Sequence, residues 1–347
     1  MGTAWFCTRE RVARALDADH TAYRTGQIDQ AIDAGARLIE AQLHWQDIAP
    51  TRATHSFDWP NTQTARAWRL WLDNQGLISF TAVTTGGQAI TPLAEPVNEG
   101  PPYTSLNIDL AGSSSWQAGT TWQRSIGVAG LWGLGDDRAP AGALAEALET
   151  VGETEVDVTD GSLVGVGTIL RAGTEDMIVT GRAWLDSGQN PTGSMAADTA
   201  VSSFAVADGT QLHAGENVIL DAEEMRVHAV TGNTVIVERA VNGTVLGAHT
   251  TASDVYVPRR LTVARGAQGS TAITHLIGAT LTAWDPPALI EALNVAVAMD
   301  QIEQELGAYS REIRSGDSAA PATGSGLEAK WTAARNAHGR QARVGAI

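Results

Sequence analysis

Cysteine is the scarcest resource in this 347-residue chain: Cys7 stands alone. No internal disulfide framework can brace the fold, and the composition suits assembly in a reducing cytoplasm. Positive charge is also short. Lys and Arg number 23 against 39 Asp and Glu, a formal net charge of −16, which excludes a protein whose whole surface grips nucleic acid. No stretch approaches the roughly 18 uninterrupted apolar residues of a bilayer span, so no membrane contact is expected. The opening "MGTAWFCTRERVARAL" reaches Arg9 and Glu10 without an apolar run and does not read as a signal peptide. Phe6 stands where N-myristoylation of Gly2 would need Ser or Thr.

Chemical motifs are missing as well. There is no Walker A sequence and no G-x-S-x-G elbow. The Gly-rich "GVAGLWGLGDD" (127–137) leads into no helix whose N-terminus could hold a phosphate. Carboxylate pairs carry no weight in a chain with 39 acidic residues. No enzyme activity, cofactor or metal is therefore expected. His249 and His275 stand apart from any Cys or second His at ligand spacing and read as side chains that close turns. Asp221, Glu223 and Glu224 lack the EF-hand spacing and read as a solvated strand edge.

Tryptophan is plentiful by contrast, and seven of the eleven lie between Trp45 and Trp132. Such a cluster suits a core or a protein–protein contact. Around it, short apolar runs such as "LISFTAV" and "SLNIDL" alternate with turn residues and predict β-hairpins. On either side the pattern is helical. Thr8 can cap a helix from Arg9, and Ile28, Ala31, Ile32, Gly35, Leu38, Ile39 and Leu43 recur at three- and four-residue steps. After "WDPP", with Asp285 as N-cap, the same spacing runs from Leu289 through Leu293, Ala296, Met299, Ile302, Leu306, Tyr309 and Ile313. A run "SGDSAAPATGSG" (315–326) then reads as a flexible linker. Beyond it, Leu327, Trp331, Ala334 and His338 share one helical face, and Lys330, Arg335, Arg340 and Arg343 oppose only Glu328. That tail is expected to fold by docking, with Leu327 and Trp331 as apolar anchors and the four cations meeting acidic groups.

Residues 140–284 hold an internal repeat. Val156–Met177 matches Phe204–Met225 at a constant offset of 48, aligning Asp160-Gly161 with Asp208-Gly209, Gly167 with Gly215, and Glu175 with Glu223. The second copy continues into "VERAVNGTVLGAH" (237–249), whereas the matching half of the first copy, "VARGAQGSTAITH" (263–275), appears only after the second copy has finished. The pattern predicts two nested β modules: an outer one of about 152–190 plus 260–284, and an inner one of about 200–257 inserted at its hairpin tip. This region carries 7 basic and 17 acidic residues, so most of the negative charge sits on it, as suits an exposed appendage.

The segments outside the repeat resemble a known family. "WFCTRERVARALD", "QAIDAGARLIEAQLHW", "FDWPNTQTARAWRLWLDNQGLISFTAVTTGGQAI", "LAEPVNEGPPYTSLNIDL", "VAGLWGLG" and "DPPALIEALNVAVAMDQIEQEL" are similar to the head-to-tail adaptor (connector) proteins of tailed bacteriophages, particularly those of actinobacterial hosts. The resemblance implies an α+β fold. It has a small helical adaptor core comprising an N-terminal helix hairpin, a β-hairpin region (1–139) and a long C-terminal helix (285–314). Residues 315–347 are its linker and basic tail, and 140–284 an inserted all-β domain. It also implies a non-catalytic structural protein of the virion neck, assembled in the host cytoplasm as a dodecameric ring. The ring would bind the portal and a downstream stopper or tail protein, with double-stranded DNA passing non-specifically through its lumen. Leu327, Lys330, Trp331, Arg335, Arg340 and Arg343 would dock on the portal or a neighbouring subunit. The alternative on the residues alone is a β-rich tail, baseplate or carbohydrate-binding module.

Overall fold

The computed structural model describes residues 4–16, 25–60, 68–96, 100–311 and 324–340. The fold is mostly β, which corrects the expectation of a small helical core carrying a β insertion: the described residues form two antiparallel sheets of 17 strands in all and only four helices. The first sheet contains β1 (Thr51–Phe57), β2 (Arg69–Trp71), β3 (Leu77–Thr85), β4 (Gln88–Ile90), β5 (Leu93–Pro96), β6 (Tyr103–Asn107) and β7 (Ile126–Trp132). Its main path runs β1-β7-β3-β6-β2, with β4 on β3 and β5 on β6. Strict alternation puts Ile126, Val128 and Trp132 of β7 inward, where they meet Phe57, Leu70, Leu77, Leu106 and Trp116. The tryptophan cluster is thus largely core: Trp45, Trp116 and Trp132 are buried, while Trp68 and Trp122 keep an exposed face.

The second sheet is formed by β8 (Arg138–Ala143), β9 (Glu155–Asp157), β10 (Ile169–Ala172), β11 (Glu175–Gln189), β12 (Ser203–Ala205), β13 (Asn217–Leu220), β14 (Glu223–Thr231), β15 (Thr234–Glu238), β16 (Val255–Ala267) and β17 (Thr280–Trp284). Its backbone is a long ribbon: β11 and β16 pair from Asp176↔Ala267 to Gln189↔Val255, with bulges that twist it. One apolar cluster lies at one end of the ribbon and includes Ala141, Val156, Val158, Val166, Leu170, Met177, Leu261 and Leu281. A second lies at the other end and includes Met195, Phe204, Val218, Met225, Val235, Val255 and Val257. The chain leaves the first along β11 and returns on β16. Gly167 and Gly215, equivalent in the two copies, both have positive φ, at 99° and 92°. At Gly167 a Cβ would also lie 2.5 Å from the Trp5 ring, so only glycine fits.

The helices are α1 (Arg9–Leu16), α2 (Thr25–Leu43), α3 (Ala288–Arg311) and α4 (Gly324–His338). Their apolar stripes are not buried on each other alone. Ile39 and Leu43 of α2, Ile290, Leu293 and Val297 of α3, and Trp331 and Ala334 of α4 share a cluster with Phe6, Ile169 of β10 and Trp284 of β17. Physical necessity explains the departure from expectation. A short helix stripe needs an apolar surface opposite it, and here the second sheet supplies part of that surface. Asn294 of α3, fully buried, locks the layer: its Oδ1 accepts from the Phe6 amide (3.2 Å) and the Cys7 thiol (3.4 Å), and its Nδ2 donates to the Ile32 carbonyl.

Candidate functional site

Three places concentrate polar chemistry. The first two are copies of one arrangement, and they explain why the sequence writes Val-x-Arg and a later His twice. In the outer copy, the Glu175 carboxylate is fully buried. Arg265 Nε and Nη2 donate to its two oxygens at 2.7 and 2.8 Å, His275 Nε2 lies 2.9 Å from Oε2, and the amides of Gly266 and Ile273 each donate at 3.0 Å. In the inner copy, Glu223 receives Arg239 Nε and Nη2 at 2.6 and 2.7 Å, the amides of Ala240 and Gly247, and a 2.9 Å contact with His249 Nε2. Both histidines also bridge by backbone to the opposite loop, His275 to Leu148 and His249 to Met195.

Glu223 is therefore no solvated strand edge, as the acidic run suggested; it is the buried centre of a knot. His249 Nδ1 reaches exposed Asp221 at 2.7 Å, and Ser253 Oγ donates to the same carboxylate oxygen. This is not a nucleophile triad, because the hydroxyl meets the acid and not the imidazole. Among the described residues no group of three or more His, Cys, Asp or Glu side chains is placed to hold a metal ion. The Cys7 thiol is pushed up to about 12, chiefly by burial, and is inert at neutral pH.

Burial alone would raise the carboxyls of Glu175 and Glu223, but the converging donors outweigh it and hold both down to about 2. A depressed carboxyl contributes stability that is complete above its unfolded value and is lost as pH falls through the folded one. The expected result is flat stability near neutrality, then a decline from about pH 4.5 towards 2. Denaturant midpoints measured across that range should show it, with a shallower slope in Glu175→Gln and Glu223→Gln. A slope unchanged in both variants would assign the acid transition elsewhere.

The third place joins the C-terminal segment to the first sheet. Trp331 is 8% exposed and lies in the cluster with α2, α3 and Trp284, with Leu327 packed beside it. The expected apolar anchors of the tail are thus seated on their own chain. Lys330 is exposed. Arg335 stacks over the Trp331 ring at 5.5 Å and pairs loosely with Glu328 at 3.7 Å. Arg340 lies 4.0 Å over Trp45, whose indole donates to the His338 carbonyl at 2.7 Å and so caps α4. Arg343 falls outside the described residues. Trp331→Ala is expected to cost about 3–5 kcal/mol by opening a cavity between α2, α3 and α4. Thermal denaturation checks this, and a loss below about 1 kcal/mol would mean that the helix does not rest there.

Beside Arg340 opens a groove of about 890 Å³, walled by Trp45, Trp71, Pro101, Pro102, Leu134 and Pro287. These residues come from five separate stretches of chain, and sequence spacing gives no sign that they converge; the paired prolines of "NEGPPY" are a local signal of rigid apolar surface. No family model, no curated protein and no solved structure matches this chain.

Proposed function

We propose that the chain is a non-catalytic structural subunit of a tailed-phage neck, a head-to-tail adaptor that assembles as a ring between the portal and the next neck protein and surrounds the DNA channel. One observation carries this reading. The two parts of the chain that resemble adaptors are separated by about 150 residues of sequence, yet Phe6, Ile39, Trp45, Leu293 and Trp331 meet in a single apolar cluster, which Ile169 and Trp284 of the intervening β region complete. The polar groups agree with a scaffold: the strongest ones, Glu175, Glu216 and Glu223, are spent on buried arginines. A ring subunit needs geometry and adhesion, and such knots supply rigidity.

Negative-stain microscopy of the purified protein, alone and mixed with the portal of the same virion, tests the reading. Closed rings that cap the portal are expected. A monomer or trimer that ignores the portal and binds glycans would overturn it in favour of the second reading, a β-rich tail or carbohydrate-binding module, which the high strand content favours.

A further inference from the structure

The two β modules repeat each other's backbone, so a place where their surfaces differ in kind is informative. The knots set the correspondence. The amides of Ile273 and Gly247 donate to the two buried glutamates, and their carbonyls accept from Arg265 and Arg239. Just beyond, the Ala279 amide closes a turn on the Leu276 carbonyl, and the Ser253 amide closes one on that of Thr250, both at 3.1 Å. On the facing loops, the Glu153 amide turns back to Thr150 and the Val201 amide to Asp198. Leu276 and Ile277 of the outer module therefore stand where the inner one has Thr250 and Thr251. By the same register Val151 takes the place of Thr199, and Ile273 that of Gly247.

These four apolar side chains face outward: Leu276 is 81% exposed, Ile277 67%, Val151 57% and Ile273 38%. Their two loops are tied together, since Leu148 and His275 pair through the backbone and Arg265 donates to the carbonyls of both Thr150 and Ile273. The fold itself needs no apolar residue in the turn, because the inner module closes it with threonine. An exposed apolar cluster that folding does not require marks an interaction surface.

Charge identifies the chemistry of what covers it. Glu146, Glu149, Glu153 and Glu155 lie on the same loop and the start of β9, and none has an ion pair among the described residues. The arginines of the adjoining β16 are already engaged, Arg260 by Asp157 and Arg265 by Glu175. Desolvation and the nearby Asp157, Glu153 and Glu155 raise the Glu146 carboxyl in spite of Arg260. Such a rim repels nucleic acid and anionic lipid. It also opposes a symmetric contact between two copies, which would bring the same glutamates face to face. The surface that fits is basic, with apolar side chains at its centre.

We propose that this end of the outer module docks a different protein of the virion neck, on a surface of that protein where Lys and Arg surround exposed apolar side chains. That the partner is a neck protein rests on the reading above; its chemistry rests on this patch alone. Leu276 and Ile277 supply the desolvated centre, the glutamates steer the approach, and the Glu175 knot holds the two loops in place.

Biolayer interferometry on the full-length protein tests this with two kinds of probe: an amphipathic helical peptide of leucine and lysine, and the purified portal and downstream neck proteins of the same virion. The double variant Leu276→Thr/Ile277→Thr gives the outer turn the residues of the inner one, and a cooperative thermal transition confirms that it is folded. Should it not fold, Val151→Thr replaces it. Saturable binding of the peptide and of one neck protein is expected, about tenfold weaker or worse in the double variant. Raising salt from about 0.1 to about 0.5 M should weaken the wild-type complexes further. Equal binding by wild type and variant, or no binding of either kind of probe, would overturn the proposal. A change in the oligomeric mass of the protein alone in the double variant would assign the patch to a second copy and overturn it as well. Rings that hold the portal regardless of Leu276 and Ile277 defeat the docking surface alone. A monomer whose patch takes the peptide but no neck protein defeats the neck reading alone.

Discussion

Glu175→Gln is expected to destabilise the outer β module by about 3–5 kcal/mol while leaving the inner module's local protection nearly intact. The substitution keeps the shape but removes the charge that Arg265 needs. Arg265 is 5% exposed at its side chain and bonds to the carbonyls of Thr150, Glu153 and Ile273, so it cannot swing out to water without releasing the loops it ties. Breaking one partner of such a pair leaves an uncompensated buried charge, the costliest kind of point change. Glu223→Gln should do the same to the inner module, where Arg239 ties Ala196, Val201 and Gly247. Hydrogen exchange separates the two, with amides around Val156 and Met177 reporting one module and those around Val218 and Met225 the other. Equal loss of protection in both modules from either variant would show that they unfold as one unit.

Excising parts of the β region is expected to give opposite outcomes according to where the cut falls. Replacing 191–253 by a short turn removes the inner module where its ends already meet, since Asn190 donates to Asp254 at 2.8 Å and Gln189 pairs with Val255. The outer module should remain cooperatively folded, because its cluster draws nothing from the excised segment. Replacing 140–284 should instead abolish the cooperative thermal transition and most of the helical circular dichroism. That cut removes Ile169 and Trp284 from the cluster that holds α2, α3 and α4. It also removes Val166, whose carbonyl accepts from Arg9 and whose amide donates to Glu10 of α1. Several large buried side chains, each worth about 2–5 kcal/mol, exceed the whole stability of an ordinary domain. Survival of a folded helical layer after this larger cut would restore the picture of an independent helical core.

The legible features were local or strictly periodic. The 3.6-residue spacing in Ile28–Leu43 and after Asp285 marked α2 and α3, because one face of a helix must be apolar to pack. Val-rich alternation marked strands between 155 and 284. The repeat with its matched Glu, Arg and His positions is visible as a pattern, but the burial of its carboxylates is not. Glu223, set in an acidic run, looks solvated until Arg239, 16 residues further on, is brought onto its carboxylate.

By itself, then, the sequence determined which segments could be helix or strand, the absence of a disulfide frame, and two aligned copies with matched Glu, Arg and His positions. Those properties depend on neighbours a few residues apart or on identity between aligned positions. Only the tertiary structure decided that the chain is mostly β, that the helices lean on the second sheet instead of forming their own core, that Trp331 is buried on its own chain, and that Arg340 stands over Trp45 beside a groove. Each of these is a contact between distant segments, and which apolar stripe meets which surface is set by the packing of the whole molecule, not by the spacing within any one element.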